Sequence, residues 1–551
     1  MNRLALAALA LLSSTAASAA GKPAFDPARL SSHVRILASD DFEGRGPATA
    51  GETKAIDYIV AQMKAAGLQP GGAPVNGRRG WTQDVPLLRS SIEGTPRLSF
   101  DVGGRRQPLS QGEEIAVRAA LTGARQVSIA DAPLVFVGYG VRAPERNWDD
   151  FKGVDLHGKI MVVLVNDPDY ETGGSTGDFG GKAMTYYGRW TYKYEEAARQ
   201  GAAGVLVVHE TGPASYGWAT VKNSNTNTMF DIVRQNPAAA HSPMEGWIQR
   251  DQAVALFRAS GLDFEALKRQ AQSRDFRPVP LKASFSADYA VDAKVITSHN
   301  VVGRVPGRSR PDETVIYSAH WDHLGVGRPD ARGDAIYNGA VDNATGIAGL
   351  IEMGRAFAHG PRPARSVVFL AVTAEEKGLL GSEYYASNPL YPLAKTAGVI
   401  NMDALGVAGP ARNFSISGSA RLGLLDDLVA EGRRRGRTFM PEPHPENGGF
   451  YRSDHFPMAK RGVPAVSFES GNDLVEGGTA AGEAAAQAYT RDRYHQPADE
   501  WSPDWNLAGM ARDLELVQAV GARLADSREW PNWSADSEFR AARDATAAQR
   551  R

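Results

Sequence analysis

From Asn300 onward the chain alternates short apolar runs with stretches of helical periodicity, and few architectures accommodate that pattern. Residues 315–318, 366–372, 398–402 and 465–468 read as strands. Helix-like stretches follow Thr345 and Leu379, and another starts at Ala420. Alternation of this kind predicts an α/β domain, a largely parallel sheet covered by helices on both faces. Chemistry on such a sheet collects at the carboxyl ends of its strands.

Acidic residues and histidines stand at those ends. His320 follows the apolar segment 314–319, with Asp322 two residues on, placed to accept a hydrogen bond from the ring nitrogen that His320 leaves free. His323 adjoins the motif and competes for the same assignment. Asp342 precedes a helix whose buried face is Ile347, Leu350, Ile351 and Phe357; it reads either as a helix N-cap or as a carboxylate shared between two cations. Glu375 and Glu376 come just after the strand 366–372. Consecutive side chains of an extended segment point in opposite directions, so the two carboxylates take different work, one as ligand and one as proton acceptor; the alternative is a solvated pair. Asp403 closes an apolar strand, where an unpaired charge is costly without a cation. His495 sits two residues before Pro497, which argues against a helix interior. Imidazole nitrogen and carboxylate oxygen suit Zn²⁺, and two such ions close together need about five side chains with one carboxylate shared.

The chain has no cysteine, which excludes disulfides, thiolate metal sites and cysteine nucleophiles together, so any metal is held by N and O ligands. At 551 residues, 42% hydrophobic and 23% charged, the chain is globular and too long for a single core. A formal net charge of −2 leaves no electrostatic footprint for nucleic acid or an anionic membrane. Residues 1–19 have a basic start, an apolar middle and a small-residue end, as in a secretory signal peptide cleaved after Ala19. No other apolar run approaches the roughly 20 residues of a spanning helix. The expectation is a soluble, exported protein, periplasmic or secreted, and the lack of cysteine is compatible with a bacterial periplasm.

Upstream of the α/β region, Asp26-Pro27 marks a helix start. Ile56, Ile59, Val60 and Met63 mark one face of a second helix that ends near Gly67, and residues 80–130 read as strands. The stretch 131–290 has the texture of a separate β-rich unit. It carries Phe136-Val137-Gly138-Tyr139-Gly140, Gly158-Lys159-Ile160 and Gly201-Ala202-Ala203-Gly204-Val205-Leu206 in that order, and so resembles the protease-associated domain. The Ala/Arg-rich tail after Ser537 reads as a frayed helix.

The ordered set His-x-Asp, Asp, Glu-Glu, Asp and late His, with Ser453-Asp454-His455 and Gly462, Pro464 and Phe468 behind it, resembles peptidase family M28, the co-catalytic zinc exopeptidases. The resemblance implies a three-layer αβα domain with a mixed, largely parallel sheet. Its division is a leader at 1–19, an N-terminal part of the peptidase domain at 20–130, an inserted protease-associated domain at 131–290, the catalytic domain at 291–535 and a tail at 536–551. It also implies two Zn²⁺ ions, Asp342 bridging them, His320 and Asp403 completing one site and Glu376 and His495 the other. Glu375 is then the general base acting on a metal-bridged water, and Asp322 the orienter of His320. Certain relatives place a Tyr before the Ser-Asp-His run to support the tetrahedral intermediate, and here Phe450 and Tyr451 compete for that place, with Tyr451 preferred. The expected substrates are peptides and the expected reaction is aminopeptidase cleavage. The alternative within enzymes is carboxypeptidase action on acidic C-termini, for which similar folds use Arg clusters and Arg452 and Arg461 are the candidates. A non-catalytic binding protein on the same fold is marked by lost ligands, and none of the five is missing.

Overall fold

The structure is a computed structural model and describes residues 25–174 and 176–550; the expected leader at 1–19 lies outside the described residues. The chain enters through α1 (Pro27–Leu37), where Asp26 accepts the Ala28 N–H at 2.9 Å and Pro27, which has no N–H, sits in a first turn whose N–H groups have no intrahelical acceptor. α2 (Ala50–Ala65) buries Ala55, Ile59 and Met63. Then comes β1 (Thr82–Val102), a strand of 21 residues that leads out of one folded unit into another.

The second unit holds β2 (Gln126–Phe136), β3 (Ile160–Leu164), α3 (Trp190–Arg199), β4 (Gly204–His209) and β5 (Met244–Gln249). Its strands run parallel in the order β2-β3-β4-β5. β3 and β4 are buried along their whole length, which is why both read as unbroken apolar runs. Its core extends from Leu98 to Val291 and draws in Phe100, Leu109 and Ile115, so the folded unit begins within β1, upstream of residue 131. The chain returns through β6 (Val279–Val305), whose 27 residues pair antiparallel with β1 from Ala283↔Val102 to Val301↔Thr82.

The C-terminal unit is built on β7 (Arg310–His320), α4 (Gly346–His359), β8 (Arg365–Val372), β9 (Thr396–Met402), β10 (Ala465–Ser470) and α5 (Ala508–Asp526). β7 lies between β8 and β9, parallel to both, and β9 is parallel to β10. β6 joins antiparallel at the β8 edge. The fold class is therefore α/β with a mixed, largely parallel sheet. Alternation along β7 separates the two faces. Tyr317 donates to the Val517 carbonyl of α5 at 2.8 Å, whereas Ser318 reaches Asn401, which in turn binds Ser453 ahead of the short helix His455–Lys460. A small apolar cluster of Val85, Leu87, Ile232, Ala374 and Leu380 sits at the junction of the two units, so packing there bears directly on the turn that carries Glu375. The tail is docked rather than frayed: Phe539 is buried, and the buried Arg543 donates to the Thr396 carbonyl at 3.0 Å. A long cationic side chain that supplies a strand-edge carbonyl with a donor gives the tail a reason to stay in place. Among the described residues, no helix is long and apolar enough to cross a membrane.

Candidate metal centre

β7 ends on His320 itself, and the buried ring points its Nε2 at two carboxylates, Asp403 Oδ1 at 3.1 Å and Asp342 Oδ1 at 3.2 Å. Asp403 follows β9 directly, one strand over. Asp342 lies in an irregular segment, Ala340–Thr345, with extended backbone (φ −106°, ψ 96°), and the first N–H of the helix beyond it, that of Gly346, is accepted by the Asn343 side chain at 2.9 Å, so the Asp342 carboxylate is free of capping work. Its second oxygen meets His495 Nε2 at 3.2 Å, and the same nitrogen lies 3.2 Å from Glu376 Oε2. His320, Asp342, Asp403, Glu376 and His495 thus form one chain of contacts with Asp342 at its middle.

The two glutamates diverge, through a turn rather than an extended strand. Ala374 has a left-handed backbone (φ 53°), and Glu375–Lys377 form a single helical turn. Glu376 goes to the histidine side, as above. Glu375 is coupled electrostatically to His320 and Asp403, while its main-chain N–H donates to Asp322 Oδ1 at 3.1 Å. Asp322 therefore steadies the Glu375 turn. Toward His320 Nδ1 it presents its main-chain carbonyl at 3.1 Å, with the carboxylate 3.9 Å away.

Four carboxylates in one buried space create a demand for positive charge. Burial pushes the Glu375 carboxyl well above its usual range, reinforced by Asp403 and Glu376 and opposed by His320. Glu376, despite burial and Asp342, is held down to about 2 by His323 and His495. Asp342 is likewise held well below the carboxylate range by His320 and His495, against the effect of burial. The rings supply the charge: burial disfavours their protonation, yet His320 is driven well above the ordinary imidazole value by Asp403 and Glu375, and His495 up to about 10 by Asp342 and Glu376. Protons on ligand-type rings amid carboxylates are what a divalent cation displaces on binding. The donor set, imidazole nitrogen and carboxylate oxygen without sulfur, fits zinc.

Some supporting residues come from places where the sequence carried little signal, others from the Ser453-Asp454-His455 run and its flank. Arg45, buried in the glycine-rich loop after α1, donates to the carbonyls of Leu37, Trp321, Asn338 and Gly339, and so ties the N-terminal segment to both loops of the centre. The Asp499 carboxylate accepts the main-chain N–H groups of Val341 and Asp342 at 3.1 Å each. Ser453 donates to Asp403 Oδ2 at 2.6 Å, and the Asp454 carboxylate accepts from Ser382 at 2.6 Å. His455 is packed under Phe450, and burial lowers its pKa to about 3. The Tyr451 hydroxyl is buried and engaged by the Met184 carbonyl at 3.2 Å and Glu538 at 3.1 Å. Tyr494 is different: it is 45% exposed as a residue, lines the cavity and stacks on the His495 ring at 3.9 Å, and burial of its phenol, reinforced by the charges of Asp342, Glu376 and Glu375, raises it well above the ordinary value.

A cavity of about 570 Å³ opens over the centre, and its far wall is the second unit, through Arg118, Arg189, Trp190, Tyr194, Arg234 and His241. Arg461 lies outside its lining and is neutralised by Glu383, which does line it, at 2.8 Å. Among the described residues, Arg452 and Arg189 have no ion-pair partner: Arg452 reaches the Ser215 hydroxyl at 3.3 Å, and the Arg189 Nε is buried without a hydrogen-bond partner. Burial and the nearby Arg452 charge lower Arg189 to about 10.

Residues 300–517 match the sequence model of peptidase family M28. A probable zinc metalloprotease of Pyrenophora teres f. teres (strain 0-1) is 37% identical over 106 residues, 19% of this chain and 22% of that protein. A probable glutamate carboxypeptidase VP8 of Zea mays is 24% identical over 402 residues, 68% of this chain and 50% of its own length. The chain thus spans half or less of the length of these curated relatives. Among solved structures, an aminopeptidase from Aneurinibacillus sp. strain AM-1 covers 92% of this chain and 95% of its own, at 19% identity and a TM-score of 0.47.

Proposed function

The chain belongs to peptidase family M28 through residues 300–517, and from that premise we propose that it is an exported, zinc-dependent exopeptidase that removes N-terminal residues from peptides. The observation that carries the reading is the convergence of His320, Asp342, Glu376, Asp403 and His495, around the Asp342 carboxylate, on the floor of a peptide-sized cavity. When bound there, a pair of zinc ions supplies Lewis acidity toward water and toward a carbonyl oxygen. His320 and Asp403 hold one position, Glu376 and His495 the other, and Asp342 serves both.

Glu375 is the proton carrier. Its raised pKa suits a group that takes a proton from the attacking water and returns it to the leaving nitrogen near neutral pH. Asp322 fixes the turn on which Glu375 sits. The phenol facing the centre is Tyr494, and we assign it the hydrogen bond to the developing oxyanion in preference to Tyr451, whose hydroxyl is already engaged. The second unit closes the cleft opposite and gives the enzyme its protease-associated wall.

A second reading, cleavage at a free C-terminus, is favoured by one observation: Arg189 and Arg452 line the cavity, and among the described residues no carboxylate lies within ion-pair distance of either. A panel of aminoacyl amides, N-acetylated peptides and C-terminally amidated peptides, each with and without chelator, tests both readings. The aminopeptidase reading expects turnover of free-amine substrates, none after N-acetylation, and complete loss on chelation. Turnover of N-acetylated peptides that requires a free C-terminal carboxylate favours the second reading. Hydrolysis by verified metal-free protein contradicts both.

A further inference from the structure

One histidine at the centre belongs to none of the five positions above. His323 lies three residues beyond His320, its ring is wholly buried, and neither ring nitrogen has a hydrogen-bond partner. Its Nδ1 is nevertheless 2.6 Å from Glu376 Oε1, and that oxygen also lacks a hydrogen bond. The two atoms are close without being aligned as donor and acceptor. The centre's own His495 stands in the same way against carboxylates, 3.2 Å from Asp342 and from Glu376. Unpartnered ring nitrogens alone do not set His323 apart, since those of the buried His455 lack partners too; among the described residues His455 has no carboxylate within ion-pair distance, whereas His323 has Glu376 against it. His241 in the second unit makes two aligned hydrogen bonds, to Glu245 and Asp231, at 2.9 Å each.

Buried polar atoms this close together but out of hydrogen-bond alignment are costly on their own. The cost is removed when their lone pairs share a cation. One donor atom each from His323, Asp342 and Glu376 lies within 4.8 Å of the others, as atoms around one ion do. The ring is also held in place from behind. Gly339 has a left-handed backbone (φ +57°) and lies flush on it, so that a Cβ there would stand 2.5 Å from His323 Cγ. The His323 N–H is directed to the carbonyl of Arg45 at 3.4 Å, the residue that pins this loop.

We propose that His323 is a further protein ligand of the metal position formed by Asp342, Glu376 and His495, an inference that rests on the dinuclear reading above. That position then has four protein ligands, as closed structural zinc sites do, whereas the His320–Asp403 position has three counting the shared Asp342 and keeps room for water and substrate. The two ions differ accordingly: the one beside His323 is the last to leave, and the one beside His320 and Asp403 exchanges first.

Zinc K-edge absorption on the full-length, zinc-loaded protein counts imidazoles directly. The wild type is expected to show three imidazoles shared by two ions, and His323→Gln two, with the slow-leaving zinc in a chelator time course becoming roughly 10-fold or more faster to leave. His323→Ala serves as a second variant, and the melting temperature of each metal-free protein, compared with the metal-free wild type, shows that the fold is intact. A wild-type spectrum with only two imidazoles for two ions, or a His323→Gln protein with an unaltered spectrum, overturns the assignment of His323 and leaves the dinuclear reading standing. A folded wild type that takes up no zinc overturns both.

Discussion

Substituting Glu375 and Glu376 by glutamine, one at a time, separates proton transfer from metal binding within one turn of chain. Glutamine matches the shape of glutamate, and the Glu375 N–H bond to Asp322 at 3.1 Å is main-chain and survives. In Glu375→Gln the contacts among His320, Asp342, Glu376, Asp403 and His495 are untouched, so zinc content is expected to stay at the wild-type level. Turnover is expected to fall by roughly 10²–10⁴-fold, the usual worth of a positioned general base, which is about 3–5 kcal/mol of barrier. Stability moves the other way. Burial, Asp403 and Glu376 all disfavour the Glu375 carboxylate, so the neutral side chain relieves repulsion and the metal-free variant is expected to melt no lower than the metal-free wild type. Glu376→Gln removes a carboxylate that the rings hold ionised. Here zinc content is expected to drop, with part of the rate restored by added zinc. Elemental analysis beside steady-state kinetics reads both variants. A Glu375→Gln protein that loses zinc, paired with a Glu376→Gln protein that is fully loaded and inactive, reverses the two roles; unchanged rate and zinc in both refutes the assignment of the turn.

Tyr494→Phe is expected to lower kcat about 10-fold or more, as removal of an oxyanion donor does, at unchanged zinc content. Tyr451→Phe is expected instead to cost stability, about 1–3 kcal/mol for the buried partners it leaves at Met184 and Glu538, measured by urea unfolding. A kcat loss confined to Tyr451→Phe transfers the role to that residue. His241 gives a pH signature. Burial opposes its charge, but Glu245 and Asp231 raise it to about 9 in the folded state, against roughly 6.5 unfolded. Its stabilisation is therefore fully present below about pH 6.5 and is lost as pH rises through about 9, a change of about 3 kcal/mol. Urea midpoints at pH 6 and pH 9.5 are expected to differ less in His241→Gln than in the wild type, and parallel behaviour contradicts the ion-pair account.

Much of the centre was legible because its histidines and carboxylates stand where apolar runs stop. His320 ends β7 and Asp403 follows β9 directly, so strand reading alone put both at carboxyl ends of neighbouring strands. The α/β class followed from the same runs, since strands buried on both sides leave continuous apolar stretches in sequence. Alternation along an extended segment separates Glu375 from Glu376 in the sequence, whereas in the structure they diverge through a turn after a left-handed Ala374, which has no signature in a sequence that offers no glycine there. Arg45, Asp499 and Arg189 were not legible. Each acts through partners far along the chain, and an arginine in a polar loop looks solvated until burial brings four carbonyls around it. The second unit's start was obscured for a related reason: β1 and β6 run unbroken through the junction, so no break in composition marks where one core gives way to the next. The tail misled by composition, because its alanines and arginines conceal one arginine that serves a strand-edge carbonyl.

The central claim is that one dinuclear centre carries the hydrolysis. It is tested most directly by titrating verified metal-free, full-length protein with zinc while following hydrolysis of a free-amine aminoacyl amide and bound zinc in the same samples. The account predicts no hydrolysis at zero zinc, two zinc ions bound per chain at saturation, and activity that is complete only when both positions are filled. Full hydrolysis by the metal-free protein, or saturation without any gain in rate, contradicts it.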